Sequence, residues 1–233
     1  MKTFYATIIA FFAALVITAC SYSNSATFNP ASPQVMMSNN MFINGGCSGV
    51  LLHTGMILSA AHCATADDKE IPAALIMFYP NELPKHITFV LEVVKRDPNV
   101  DLMLLRVKDG RVTDFFEVSR GARLGQLPVL GDTVFHTGNP MHNFYTLTKG
   151  IVSNIYYRDL GMGENYPSGK QHLIQTDVGI APGSSGGALY NDKGQLIGIV
   201  MAVMTVRMGM GTVPISFMAY AVPVDVIETF LLG

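Results

Sequence analysis

The sequence predicts an all-β fold, and its composition and pattern indicate why. Only 14% of the 233 residues are charged and 49% are hydrophobic, with 22 glycines and 12 prolines. Short apolar runs rich in Val, Ile and Thr are separated by turns that contain Gly, Asn or Asp. These features favour many short strands over a helix bundle, and the length allows one large or two small β domains.

Residues 1–19 are predicted to be a signal peptide. Lys2 provides a positive charge, and the uncharged apolar stretch 4–19 is too short for a comfortable membrane span and ends in small residues. The end of this stretch, Leu15-Val16-Ile17-Thr18-Ala19-Cys20, resembles a bacterial lipobox. The resemblance implies that Cys20 becomes the lipidated first residue and anchors the chain to a membrane of the cell envelope. Simple signal-peptide cleavage is the alternative.

Residues 20–40 are predicted to form a flexible tether, because Ser, Asn and Pro dominate there and no period is visible. The folded body is therefore expected to span 41–233. A polar, glycine-rich segment at 109–131 links two halves, 41–120 and 121–233.

Ten apolar runs within the body predict strands. A tight turn at Thr54-Gly55 separates the first two, Gly150 interrupts the seventh, and a turn at 191–194 precedes the last. The chain ends in a short amphipathic helix with Pro223 at its start. The predicted strands cover 49–53, 56–59, 73–79, 86–95, 102–107, 133–136, 144–157, 172–175, 187–190 and 195–206.

The segment Gly183-Ser184-Ser185-Gly186-Gly187 contains a candidate nucleophile, Ser185. Gly183 allows a turn in which its own N–H and that of Ser185 point at one spot, an arrangement that stabilises an oxyanion. Taken alone, a run of glycine and serine is more often a plain turn or linker. A serine hydroxyl needs an adjacent base held by a third group, so the hypothesis requires a histidine and an acid upstream.

Two upstream residues meet this requirement. His62 follows a strand in a corner of small residues, where Ala60 and Ala61 leave space around the ring. A lone histidine in such a place is usually structural, but the other five histidines lack this setting. Asp101 opens the apolar run 102–107, where a carboxylate needs a partner such as a histidine N–H. An ordinary turn cap is the alternative for Asp101.

The chain has three cysteines, Cys20, Cys47 and Cys63. If lipid modifies Cys20, an even pair remains in an exported, oxidising setting. A disulfide between Cys47 and Cys63 is then the expectation, and two buried free thiols are the alternative.

The order of His62, Asp101 and Ser185 is that of the chymotrypsin-type triad. The segment 58–63 resembles the trypsin-family histidine segment, 101–105 resembles its aspartate segment, and the cysteine pair matches the bridge that holds the histidine loop in that family. Closer similarity is to the HtrA/Deg branch, over the segments 131–140, 148–153, 174–177 and 219–224.

The similarity covers about 45 to 230 and departs from the branch at two positions. Ser184 and Ala188 stand where Asn and Pro are usual, and no PDZ domain is expected to follow. The resemblance implies two antiparallel six-stranded β-barrels with the site in the cleft between them. It also implies an exported serine endopeptidase that acts on protein or peptide substrates through an acyl-enzyme, with His62 and Asp101 from the first barrel and Ser185 from the second.

The same resemblance implies the substrate contacts. Gly179 would form the base of the primary specificity pocket, with Val200 and Val203 along its wall. The stretch from Met201 to Val203 would pair with the substrate backbone as an added strand. Because the base carries no Asp, we expect cleavage after small or medium apolar residues rather than after Arg or Lys.

Other function classes are disfavoured. The net charge is −2 and no basic run exceeds two residues, so nucleic acid is not an expected partner. The histidine and cysteine spacing gives no metal signature, and no metal or cofactor is expected. An α/β-hydrolase esterase would need a histidine after Ser185, and none follows. The remaining alternative is a catalytically silent binding module at the cell surface. The natural substrate and the oligomeric state stay open.

Overall fold

The computed structural model describes residues 34–37, 46–64, 67–77, 85–108, 121–143, 146–159, 170–208 and 211–233. The predicted signal peptide, the lipid site Cys20 and most of the predicted tether lie outside these residues. Among the described residues, no helix has both the length and the apolar character needed to span a bilayer.

The first half of the body is a closed barrel of six antiparallel strands, which follow one another around the barrel in the order β1-β2-β3-β6-β5-β4. The strands are β1 (Gln34–Met37), β2 (Cys47–Leu51), β3 (Ile57–Ser59), β4 (Glu70–Met77), β5 (Lys85–Asp97) and β6 (Leu102–Val107).

The second half is also a closed antiparallel barrel, with the order β10-β11-β12-β9-β8-β7. The two barrels confirm the predicted fold class, and one short helix, α1 (Val224–Leu232), ends the chain. The strands are β7 (Thr133–Gly138), β8 (Thr146–Asp159), β9 (Lys170–Thr176), β10 (Ala188–Tyr190), β11 (Leu196–Met208) and β12 (Gly211–Pro223).

Strand β1 differs from the sequence prediction, which placed Gln34–Met37 in the flexible tether. These residues pair with β2 on one side and with β4 on the other, and so close the first barrel. Met37 is fully buried. The strand is only four residues long and lies in polar sequence, so its pairing partners determine it rather than its composition. The folded body therefore includes Gln34–Met37.

Strand β8 is continuous, whereas the sequence predicted an interruption at Gly150. Gly150 pairs with Val134 inside the ladder. A side chain at this position would collide with the Asp177 carboxylate, which accepts a hydrogen bond of 2.7 Å from the Ile151 N–H. The glycine is thus explained by the close approach of Asp177 and not by a turn.

Each barrel has its own apolar core, and a third core joins the barrels. The third core combines Val50 and Leu58 from the first barrel with Tyr190 and Tyr220 from the second. Helix α1 also contributes to it, through Ile227 and Phe230. This shared core fixes the two barrels against each other, and the loops that contain His62, Asp101 and Ser185 lie where they meet.

Candidate active site

His62 lies in a 3₁₀ turn, Ala61–Cys63, that directly follows β3. Two restraints hold this turn. The Arg96 guanidinium donates to the carbonyl oxygens of Ala61 and Ala64, each at 3.0 Å. On the other side, the predicted disulfide between Cys47 and Cys63 is present and joins the turn to β2. The backbone at His62 is therefore fixed from both sides.

Asp101 orients the imidazole of His62. Its Oδ2 lies 2.8 Å from His62 Nδ1, and its Oδ1 accepts the backbone N–H of His62, also at 2.8 Å. The Asp101 side chain is 3% exposed, so these two contacts satisfy a carboxylate that is shielded from water. An ionised carboxylate accepts a proton from Nδ1, and Nε2 is then the basic nitrogen of the ring.

The backbone at Asp101 is unusual, because its φ of 55° lies in the left-handed region. Asp and Asn tolerate this region better than most residues. The carbonyl of Asp101 accepts the Ala61 N–H at 3.1 Å, which completes the attachment of the aspartate to the histidine turn. The sequence suggested a turn cap or a histidine acceptor at this position, and the structure gives the second.

The serine loop, residues 182–187, is shaped by two glycines with positive φ, Gly183 at +100° and Gly186 at +80°. A Cβ at Gly183 would lie 2.5 Å from the Asn139 carbonyl oxygen, so only glycine fits there. Among the described residues, the N–H groups of Gly183 and Ser185 have no hydrogen-bond acceptor. A developing negative charge could therefore be bound by both.

The serine loop packs against the histidine turn. The Ser185 carbonyl oxygen lies 3.9 Å from Cys63 Sγ, one residue after His62, and it accepts the Ser48 N–H at 2.7 Å. No hydrogen bond of the Ser185 hydroxyl occurs within the described part of the chain. Catalytic hydrogen bonds in free enzymes are often long and shorten only when substrate is bound.

Of the residues predicted to form the substrate pocket, Val200 contacts this loop. The Thr148 hydroxyl donates to the Gly179 carbonyl at 3.1 Å, and a Cβ at Gly179 would make only an ordinary contact of 3.5 Å with Thr148. Val200 and Met201 are each 1% exposed, so their side chains offer almost no open surface, whereas Val203 is half-buried. Val200 instead holds the serine loop through its backbone, which bonds the Gly186 N–H at 2.7 Å and the Gly187 carbonyl at 2.9 Å.

The edge of β11 that faces β10 and the serine loop is paired only as far as Val200 among the described residues. Strand β10 pairs with β11 only as far as Ile199, while β12 continues along the opposite edge to Met208. Within the described ranges no strand covers the other edge of Met201–Val203. An extended peptide could pair with this edge.

His136 has no predicted role, and it lies directly behind the serine loop, next to Gly187. The side chain is fully buried, its Nδ1–H donates to the Ala188 carbonyl at 3.0 Å, and its Nε2 has no partner among the described groups. Burial lowers the pKa of His136 to about 4. Alternation along β7 could have indicated this position, since Val134 and His136 share the inward face.

This buried histidine predicts an acid-sensitive fold. The folded pKa of about 4 is below the ordinary value of 6.5, so between these pH values only the unfolded chain binds the proton. Above pH 6.5, neutral His136 should leave the free energy of unfolding at its full value. About 3 kcal/mol of this free energy should be lost as the pH falls from 6.5 through 4. Urea unfolding at several pH values measures it. The His136→Gln variant should show a flatter pH dependence, and equal slopes would contradict the prediction.

Among the described residues, one cluster combines metal-ligating side chains, namely Cys47, His62 and Cys63, whose ligand atoms lie within 4.8 Å of one another. Both sulfur atoms are joined in the disulfide, so neither offers a thiolate. The cluster fits a covalently fixed histidine turn better than a metal site.

Residues 47–199 match the family described as trypsin-like peptidase domain. Protease Do-like 2, chloroplastic, from Arabidopsis thaliana is 29% identical over 185 residues, which cover 79% of this chain and 27% of the relative. Periplasmic serine endoprotease DegP from Salmonella typhimurium is 30% identical over 177 residues, which cover 71% of this chain and 35% of the relative. The chain thus spans about a quarter to a third of the length of these relatives.

A solved structure described as HtrA-type protease AlgW with tripeptide has the same architecture. It aligns with a TM-score of 0.63 and 25% identity, and the alignment covers 91% of this chain and 62% of that one. The aligned part includes both barrels, since it extends over nine tenths of the sequence.

Proposed function

Because the chain belongs to the trypsin-like peptidase family, we propose that it is a serine endopeptidase with Ser185, His62 and Asp101 as its catalytic residues. One observation carries the proposal: a buried carboxylate holds the histidine ring beside a glycine-shaped serine loop. Two N–H groups of this loop, those of Gly183 and Ser185, have no acceptor among the described residues. Such an arrangement serves acyl transfer to a serine and has no evident purpose in a binding module.

The proposed reaction proceeds in two halves. His62 Nε2 takes the proton of the Ser185 hydroxyl while Ser185 Oγ bonds to the scissile carbonyl carbon, and the N–H groups of Gly183 and Ser185 bind the resulting oxyanion. Collapse of this intermediate breaks the C–N bond, and the departing amine takes the proton from His62. Water then repeats the sequence on the acyl-enzyme and releases the acid. Asp101 stays ionised and stabilises the charged ring.

The proposed specificity is for small or medium apolar residues before the cleaved bond. Gly179 brings no charge to the base of the pocket, so an Arg or Lys side chain would be buried without a counter-charge. The open edge of Met201–Val203 would pair with the backbone of the substrate residues that precede the cleaved bond.

Labelling with a fluorophosphonate and cleavage of casein test the proposal together. The folded chain should form one adduct, which peptide mapping should locate on Ser185, and casein should be cut mainly after Ala, Val, Leu or Met. An adduct on another serine would refute the assigned nucleophile, and cleavage mainly after Arg or Lys would refute the pocket. A folded chain that neither labels nor cleaves would favour a silent binding module.

We also propose that the protein is exported and anchored by lipid on Cys20. The support is the apolar stretch 4–19, the lipobox-like residues before Cys20, and the periplasmic location that the name of the Salmonella relative gives for that protein. Cells supplied with labelled palmitate should incorporate the label into the wild-type chain and not into Cys20→Ala. Label that persists in the variant would remove the lipid anchor while leaving the proposed activity intact.

A further inference from the structure

Every carbonyl group from residue 182 to residue 185 is hydrogen-bonded. Pro182 accepts the Met141 N–H at 2.7 Å, and Ser184 accepts the Gly187 N–H at 2.9 Å. In a trans peptide the C=O and the next N–H point in opposite directions. Holding these two carbonyls therefore sets the directions of the Gly183 N–H and the Ser185 N–H.

The two remaining carbonyls are both held by one residue of the other barrel, Ser48 on β2. Its hydroxyl donates to the Gly183 carbonyl at 2.7 Å, and its backbone N–H donates to the Ser185 carbonyl at 2.7 Å. The Ser48 side chain is buried, so water does not compete for these bonds. Both donors, the Ser48 hydroxyl and the Ser48 backbone N–H, are uncharged.

The Ser48 hydroxyl is also an acceptor, since the Asn139 N–H donates to it at 2.9 Å. Asn139 follows β7 and precedes Met141 by two residues, and Met141 supplies the N–H that holds the Pro182 carbonyl. One hydroxyl thus connects the middle of the serine loop with the segment that fixes its beginning.

The bond from the Ser48 hydroxyl restrains Gly183, a glycine of the serine loop. Without a Cβ, the glycine has access to a wide range of φ and ψ values, and its peptide planes can rotate more easily than those of other residues. A rotated plane would turn a carbonyl, instead of an N–H, towards the substrate, and the carbonyl would repel an oxyanion.

We propose that Ser48 is a positioning residue. It fixes the peptide planes that follow Gly183 and Ser185, restricts rotation about these two residues, and so keeps their N–H groups directed at the reacting carbonyl. The inference rests on the proposed endopeptidase activity and extends it to a residue outside the triad. Ser48 acts on the transition state through the loop, so its loss should lower kcat and leave KM nearly unchanged.

The test compares Ser48→Ala with Ser59→Ala in the full chain. Ser59 is the matched control, because it is also buried and its hydroxyl donates to the Ser48 carbonyl at 2.8 Å without touching the loop carbonyls. We expect kcat per folded molecule to fall about tenfold to hundredfold in Ser48→Ala, less than the 10²- to 10³-fold loss when an oxyanion donor itself is removed. Fluorophosphonate labelling should slow in parallel.

Two further readouts separate positioning from a structural role. The pH midpoint of kcat/KM should stay at its wild-type value, and Ser48→Thr should restore most of kcat because it keeps the hydroxyl. If Ser48→Ala does not fold, Ser48→Cys replaces it, with the same expected loss because the thiol is a weak donor.

An unchanged kcat in Ser48→Ala, or an equal loss in Ser59→Ala, would overturn the inference while the proposed function stands. A wild-type chain that neither labels nor cleaves would instead remove the proposed function.

Discussion

Replacing Ser185 by alanine is expected to lower kcat by roughly 10⁶-fold, which is the loss seen when the nucleophile of such a triad is removed. The reason is chemical, since the substitution removes the oxygen that would form the acyl-enzyme. Residual cleavage would come from the oxyanion donors and from substrate binding alone. Casein cleavage and fluorophosphonate labelling measure the loss, and labelling should disappear completely.

The fold should not change with this substitution. The Ser185 hydroxyl has no hydrogen bond within the described residues, so its removal leaves no buried partner unsatisfied. Thermal melting of Ser185→Ala should match that of the wild type. A variant that keeps its melting temperature and still cleaves at more than about a thousandth of the wild-type rate would refute Ser185 as the nucleophile.

Replacing Asp101 by asparagine is expected to lower kcat by about 10⁴-fold near neutral pH. Asparagine keeps an oxygen for the His62 N–H, and it tolerates the left-handed backbone at this position. The other end of the amide, however, presents an N–H₂ to His62 Nδ1. Nδ1 must then accept a hydrogen bond, so the ring proton lies on Nε2. In this tautomer Nε2 cannot take the proton of Ser185.

Steady-state kinetics across pH 6 to 9 measures this effect, and circular dichroism checks that the fold is retained. The labelling rate should fall by a similar factor, because the same base activates Ser185 towards the probe. If Asp101→Asn were folded and nearly as active as the wild type, the carboxylate would serve only as a cap for the histidine turn.

The fold and the main candidate residues could be predicted because their signals are local. Glycines on both sides of Ser185, small residues beside His62, and an aspartate at the head of an apolar strand each occupy only a few consecutive positions. Resemblance then joined these distant segments into one site and supplied the number of barrels.

Other features could not be predicted, because they depend on contacts between distant segments. Strand β1 is defined by its pairing with β2 and β4, not by the polar sequence around it. Ser48 follows Cys47 without any chemical signature, and only the folded chain brings its hydroxyl to Gly183. The buried side chain of Val200 likewise depends on how β11 packs in the barrel.

The bond between Ser48 and Gly183 joins residues 135 positions apart, and this separation has a consequence for biogenesis. Contacts between distant segments form late, because a long loop must close before they can contribute. Because synthesis starts at the N-terminus, the first barrel and the histidine turn can form well before the serine loop has been synthesised. The proposed ability to cut other proteins should therefore appear only at the end of folding, once the serine loop has joined the first barrel.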